Sequence, residues 1–133
     1  MAATLDAPAR ALLTATNYCH VSTRRPDATI LTVVVWCDVD GEHVVLNSAE
    51  GRAWPANARR DGGATLNVMN LENPYEYVEI VASLADYTAE GADDVIDALA
   101  KKYIGVDRYP AHRADETRIT LRFAPERVRH RRG

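Results

Sequence analysis

Cys19 and His20 are adjacent in the chain. A thiol beside an imidazole is the pair on which cysteine-based nucleophilic catalysis is built. Their segment, residues 18–23, reads as a strand, and neighbours on a strand point to opposite faces. The pair therefore argues against its own use. Ser48 has neither a neighbouring base nor the flanking glycines of a nucleophile elbow. The four histidines are scattered, with no two of them four apart, and the two cysteines do not complete a zinc site, so no metal is expected. Asp38-Val39-Asp40-Gly41 opens like a calcium loop but lacks the rest of one, and it reads as a hairpin turn. Glycine-rich nucleotide fingerprints and phosphate loops are absent. An enzyme with so few reactive side chains needs a bound cofactor for the difficult step.

Such a cofactor needs a scaffold, and the composition says which kinds are excluded. The chain has 133 residues, 47% hydrophobic and 26% charged, with a net charge of −3. That is one ordinary globular domain over residues 1–133, not a disordered or low-complexity segment. An acidic balance gives no whole-domain nucleic-acid footprint. No run approaches the roughly 18 uncharged apolar residues of a membrane span. Asp6 and Arg10 interrupt the place where a signal peptide would be apolar, so a cytoplasmic protein is expected. Cys19 and Cys37 lie in apolar strand-like runs and read as buried, reduced thiols. The basic tail, residues 127–133 with Arg127, Arg129, His130, Arg131 and Arg132, reads as a solvated end, open to disorder.

The elements follow from pattern and punctuation. Asp6 and Pro8 start a short helix over residues 6–16. A strand over 18–23, a Pro-Asp turn and a strand over 29–39 rich in β-branched residues come next. Asp40-Gly41 closes a hairpin with a return strand over 43–48. Pro55 suits the first turn of a short helix through 56–60, stopped by Gly62-Gly63. Residues 64–70 alternate, 75–87 form a long strand, and Thr88 is placed to cap a helix. That helix puts Val95, Ile96, Leu99, Ala100, Tyr103 and Ile104 on one face and ends at Gly105. The last strand, 116–123, carries Ile119, Leu121 and Phe123 on one face and Arg118, Thr120 and Arg122 on the other. Hairpin-length connections make the sheet antiparallel. The expected fold is mainly β (α+β), a six-stranded antiparallel barrel with short flanking helices.

The order of segments carries a resemblance. VVVWCDVDGEHVVLNS is followed by GRAWPANARRDGGATLNV, then ENPYEYVEIVASLADYT, KKYIGVDRYP and TRITLRFAPERV. Over residues 8–128 this resembles the pyridoxamine 5′-phosphate oxidase-like split β-barrel superfamily. It is most similar there to the small actinobacterial oxidoreductases that use the deazaflavin coenzyme F-420. The many Ala and Arg, with Lys101 and Lys102 as the lysines, fit a GC-rich genome.

The resemblance implies a homodimer with cofactor sites at the interface and a small-molecule substrate, without nucleic acid or membrane. It implies a flat ring lying against residues 33–36, with Val35 and Trp36 in contact. It implies a cofactor phosphate held by Asn47, Ser48, Gly51, Arg52 and Asn57, with Arg60 nearby. Hydroxyls, guanidinium groups and helix N-terminal amides all favour an anion. Tyr75 and Tyr77 alternate on one strand face, which suits either the substrate side or aromatic packing. One position departs from the pattern: where relatives carry a phosphate-binding Lys, three residues before Asn57, this chain has Trp54. Losing one charged hydrogen bond to an anion costs about 1.5–3 kcal/mol. Arg52 offsets part of that, since a guanidinium grips phosphate at two points. The implied activity is hydride transfer between coenzyme F-420 and an unsaturated small organic substrate. The alternatives are an FMN-dependent oxidoreductase on the same fold, a ligand-binding protein without turnover, and a biosynthetic enzyme that needs no cofactor.

Overall fold

In the computed structural model, which describes residues 3–133, the chain forms three helices and seven strands. All strand pairs are antiparallel, and the sheet runs β2-β1-β5-β6-β7-β4-β3. The strands are β1 (Cys19–Arg24), β2 (Ile30–Val35), β3 (Asp38–Asp40), β4 (His43–Ala49), β5 (Gly63–Asn70), β6 (Asn73–Thr88) and β7 (Arg118–Arg132). The helices are α1 (Ala7–Thr14), α2 (Ala53–Asp61) and α3 (Ala92–Ile104).

The sheet has one strand more than the six expected, and it is not closed. The β-branched run over 29–39 is broken at Trp36-Cys37 into β2 and β3. These two strands are consecutive in the chain yet occupy opposite edges of the sheet. Val35 and Asp38 are three Cα steps apart, so the edges lie within about 11 Å of each other. The sheet must therefore roll up until its edges meet at a seam, which covalent chain crosses and no β-ladder does. Two breaks in register help the pair follow the curve, one with its extra residue on β7 (opposite Val81 and Ala82) and one on β6 (between Leu84 and Asp86), because a bulge bends the strand that carries it. Pro125 pairs opposite Ala82 at the first of these, a position where a missing N–H is tolerated.

Inward-facing residues of alternating strands fill the core: Val21, Leu66, Val68, Val78, Ile80, Leu46, Leu121 and Phe123. Leu12 and Leu13 of α1 plug it on one side and Trp54 and Ala58 of α2 on another. α1 starts as expected, with Asp6 Oδ1 accepting from the Ala9 N–H. Helix α2 begins three residues earlier than expected, at Ala53, which places Pro55 in the first turn. Thr88 does not cap α3. It ends β6, its hydroxyl accepts from the Glu90 N–H, and Gly91 takes the cap at φ 72°, in the left-handed region that favours glycine.

Two further expectations change. Residues 127–132 are not a loose tail but the end of β7, paired with β6 from Arg127↔Val81 to Arg132↔Glu76. Alternation explains why: Val128 and His130 face inward, and His130 Nε2 meets Glu76 Oε2 at 2.9 Å, while Arg127, Arg129 and Arg131 face out. The second face of β7 is not solvated at its start. Arg118 and Thr120 are buried, because α3 packs across β4 and β7.

Candidate functional site

The seam opens into a cleft of about 280 Å³ between the end of β2, the β4–β7 pair, α3 and the loop over 105–117. Its walls are flat or aliphatic: Val34, Val35 and Trp36 from the seam, Tyr18, and Ile96 and Leu99 from α3. Tyr109 closes one side, and Asn47, Arg52 and Arg118 form a polar end. A roomier groove lies beside α1, but the residues that line it, among them Asn17, Glu72 and Glu76, bring no cation to it. The seam cleft combines aromatic faces with guanidinium groups, and that makes it the candidate site.

The aromatic wall is braced from behind. Trp36 stacks on Tyr103 at 5.3 Å with planes 7° apart, and Tyr103 stacks on Tyr18 at 5.6 Å. Tyr109 meets Trp36 edge-on at 6.0 Å. The Tyr103 hydroxyl bonds the Asn17 carbonyl, and burial pushes its pKa far up, so it stays a neutral strut. Lys102 Nζ donates to the carbonyls of Leu13 at 2.8 Å and Cys37 at 2.6 Å. It thereby satisfies the Cys37 carbonyl at the seam, where the ladder cannot, and ties it to the last turn of α1. Burial lowers its pKa.

The polar end is built on β4 and β7. Asn47 Nδ2 donates to the Ala92 carbonyl at 2.9 Å, which fixes the amide. Its Oδ1 accepts from Arg118 Nε at 2.9 Å. Arg118 Nη1 and Arg52 Nη2 both donate to Glu116, at 3.0 and 3.2 Å. The Arg118 guanidinium first, and then Arg52, hold the Glu116 carboxyl below the usual range despite some burial. Arg118 also lies over the Tyr109 ring at 5.3 Å.

The loop that carries Tyr109 is tied to α3 by one side chain. Asp97 Oδ1 accepts from the Tyr109 N–H at 2.8 Å and meets His112 Nε2 at 2.7 Å. These bonds, Tyr109 first, hold its pKa below the ordinary aspartate value. A depressed carboxyl pKa contributes stability that is full above the unfolded value and fades as pH falls through the folded one. The tie should therefore hold at neutral pH and loosen in acid. Asp97→Ala is expected to free the loop at neutral pH. Limited trypsin digestion should then cut faster at Arg108 and Arg113, with the sheet intact; an unchanged cutting rate would show that Asp97 does not hold the loop.

Of the residues singled out from sequence, Val35, Trp36, Asn47 and Arg52 come together at this cleft. Gly51 forms the turn before Arg52, at φ 91°. Ser48 does not join them. It lies on the strand face opposite Asn47, is 1% exposed, and its Oγ has no hydrogen-bond partner. Asn57 fastens α2 to β1, donating from Nδ2 to Thr23 Oγ1 and accepting from Arg60. Arg60 is spent on Asn57, Asp61 and the Arg24 carbonyl. Trp54 is 5% exposed within the core, so it neither shuts the cleft nor stacks in it. Tyr75 is 75% exposed and Tyr77 half-buried on β6, and neither lines the cleft. Cys19 and Cys37 are buried free thiols. A hydrogen bond with Cys37 and burial raise the Cys19 thiol further, which removes it as a nucleophile. Sequence reasoning missed Tyr18, Tyr109 and Arg118. Arg118 has no local signal, since it reaches Asn47 only through the pairing of β4 with β7.

The cleft suits a flat conjugated ring bearing an acidic group: rings and aliphatic side chains for the one, two guanidinium groups for the other. A flavin or deazaflavin has that chemistry, so the residues present fit it.

The fold is that of the pyridoxamine 5′-phosphate oxidase-like superfamily. Within it, the chain is similar to an F420 reductase, with 25% identity over 90% of this chain and 94% of the other, at a TM-score of 0.80. It is also similar in fold to an FMN-binding protein from Syntrophomonas wolfei, with 16% identity, 91% and 82% covered, TM-score 0.68. A protein from Listeria innocua that bears the pyridoxamine 5′-phosphate oxidase name shares 14% identity, 90% and 92% covered, TM-score 0.67. No protein-family model matches the sequence, and no curated protein matches it.

Proposed function

We propose that the protein is an oxidoreductase that moves a hydride between coenzyme F-420 and an unsaturated small organic substrate. The observation that carries this reading is the cleft itself. In a chain that matches an F420 reductase over 90% of its length, it joins a braced aromatic wall to a paired-arginine end. FMN is the second cofactor the same cleft would accept, supported by the FMN-binding neighbour.

A deazaflavin or flavin, when bound, supplies the hydride donor or acceptor. The chain supplies placement. Trp36, backed by Tyr103, gives the ring a flat surface with little freedom to shift. Ile96 and Leu99 keep water from one side. Arg52 and Arg118 take the acidic group, and in such transfers placing the reactants against each other supplies much of the rate. Val34 lines the cleft and is 58% exposed on the outer face of β2, which also carries the exposed Ile30. That open apolar edge supports a homodimer in which a second copy completes the site. Among the described residues, no helix is long and apolar enough to cross a membrane.

Titration of coenzyme F-420 into the protein, with FMN in parallel, tests the reading through quenching of tryptophan fluorescence and ligand polarisation. Saturable micromolar binding of the deazaflavin is expected. Tighter binding of FMN would move the assignment to the flavin, and silence from both would end the redox reading.

A further inference from the structure

The two guanidinium groups at the polar end of the cleft are already bridged by an acid, Glu116, which does not itself line the cleft. Glu116 Oε2 accepts from Arg52 Nη2 at 3.2 Å and its Oε1 accepts from Arg118 Nη1 at 3.0 Å. One carboxylate thus spans two guanidinium groups, as the acidic group of a ligand would. Arg118 is 5% exposed at the side chain and Glu116 14%, so this contact is shielded from water and strengthened by it. Asp115, the neighbouring carboxylate, faces away and pairs with Arg113 at 3.0 Å. The subsite therefore consists of two positive groups and one negative group, a net of +1.

We infer that Glu116 is an internal occupant of the anion subsite, and that it sets which acids the cleft admits. The inference rests on the reading of the cleft as the ligand site. A singly charged carboxylate brings the group to neutrality with Glu116 in place. A doubly charged phosphate ester leaves a net negative charge in a half-buried site unless Glu116 swings out. The swing is local: Glu116 lies two residues before the start of β7, in the loop over 105–117, so no ladder hydrogen bond breaks. Glu116 is a specificity-determining residue, acting by competition for the two arginines.

The test compares flavin mononucleotide with riboflavin, which has the same ring and no phosphate. Both are titrated into the wild type and Glu116→Gln at about pH 8, where the phosphate ester is dianionic. The expected result is a gain of about tenfold or more in flavin mononucleotide affinity, with riboflavin unchanged. Glu116→Ala should move the same way, and a melting curve on each variant shows that it is folded. In Arg52→Gln, flavin mononucleotide should weaken while riboflavin does not. Equal flavin mononucleotide affinity in wild type and Glu116→Gln overturns the inference and leaves the cleft reading standing. So does weaker binding in the variant, which would make Glu116 only a brace for Arg118. Failure of flavin mononucleotide to bind either protein also overturns it, and silence from riboflavin as well would take the cleft reading with it.

Discussion

Trp54→Lys is expected to destabilise the fold severely and not to create a phosphate site. The resemblance suggests the opposite, since lysine is the residue that relatives carry there. The structure decides between the two. Trp54 is 5% exposed and packs into the core from the first turn of α2. Removing a buried tryptophan costs about 3–5 kcal/mol in lost contacts and cavity. The lysine adds the cost of placing an ammonium among apolar groups, or of unwinding the turn so that the ammonium can reach water. Domains of this size hold only about 5–15 kcal/mol in total. Each kcal/mol moves the melting temperature by roughly 3–5 °C, so a fall of about 10–20 °C is expected by differential scanning calorimetry, with a large unfolded fraction at 37 °C. A well-folded Trp54→Lys with tighter cofactor binding would mean that α2 sits differently from the arrangement described.

Arg118→Met is expected to damage ligand binding and stability together. Methionine keeps the unbranched stem of the side chain, without the guanidinium and its donors. Asn47 Oδ1 loses its partner, and Glu116 keeps only the exposed Arg52. Leaving such groups unpaired costs on the order of 2–3 kcal/mol. Binding of a phosphate-bearing flavin should fall about ten- to a hundredfold, the worth of one charged hydrogen bond. Riboflavin should change much less. Arg118→Lys should not rescue either property. A lysine donates from one nitrogen on a shorter stem, so it does not reproduce the separate reach of Nε to Asn47 and Nη1 to Glu116. Full binding in Arg118→Lys would show that charge alone, without the fork, is what the site uses.

Much of the scaffold was legible because it is written in local chemistry. Asp40-Gly41 places a hairpin, the alternation around Leu66 and Val68 places β5, and the spacing of Ile96, Leu99 and Ala100 places the buried face of α3. What escaped is decided at a distance. Nothing in a run of β-branched residues says that it must break at Trp36, because the break is imposed by the curling of the other strands. The basic end of β7 looked solvated, yet a strand needs only every second residue to face inward, and Val128 and His130 suffice. Within the site, the resemblance led to Val35, Trp36, Asn47 and Arg52. It led equally to Ser48, Asn57 and Arg60, which serve the core and the surface instead. Residue type at the right spacing does not reveal which strand face, or which side of a short helix, a side chain takes. Arg118 and Tyr109 became visible only when β7 lay beside β4 and the loop folded back over α3.

A closed barrel has its girth set by strand number and shear, and it cannot widen without breaking a full row of hydrogen bonds. The seam between β2 and β3 frees this sheet from that rule. Its opening is spanned by two residues of chain, Trp36 and Cys37, and is flanked by the stacked rings of Trp36, Tyr103 and Tyr18. Substituting those rings alters the width of the opening and leaves every ladder untouched. Ligand size in this architecture can therefore drift by changes at a handful of positions, with the cost to folding confined to the packing of the rings themselves.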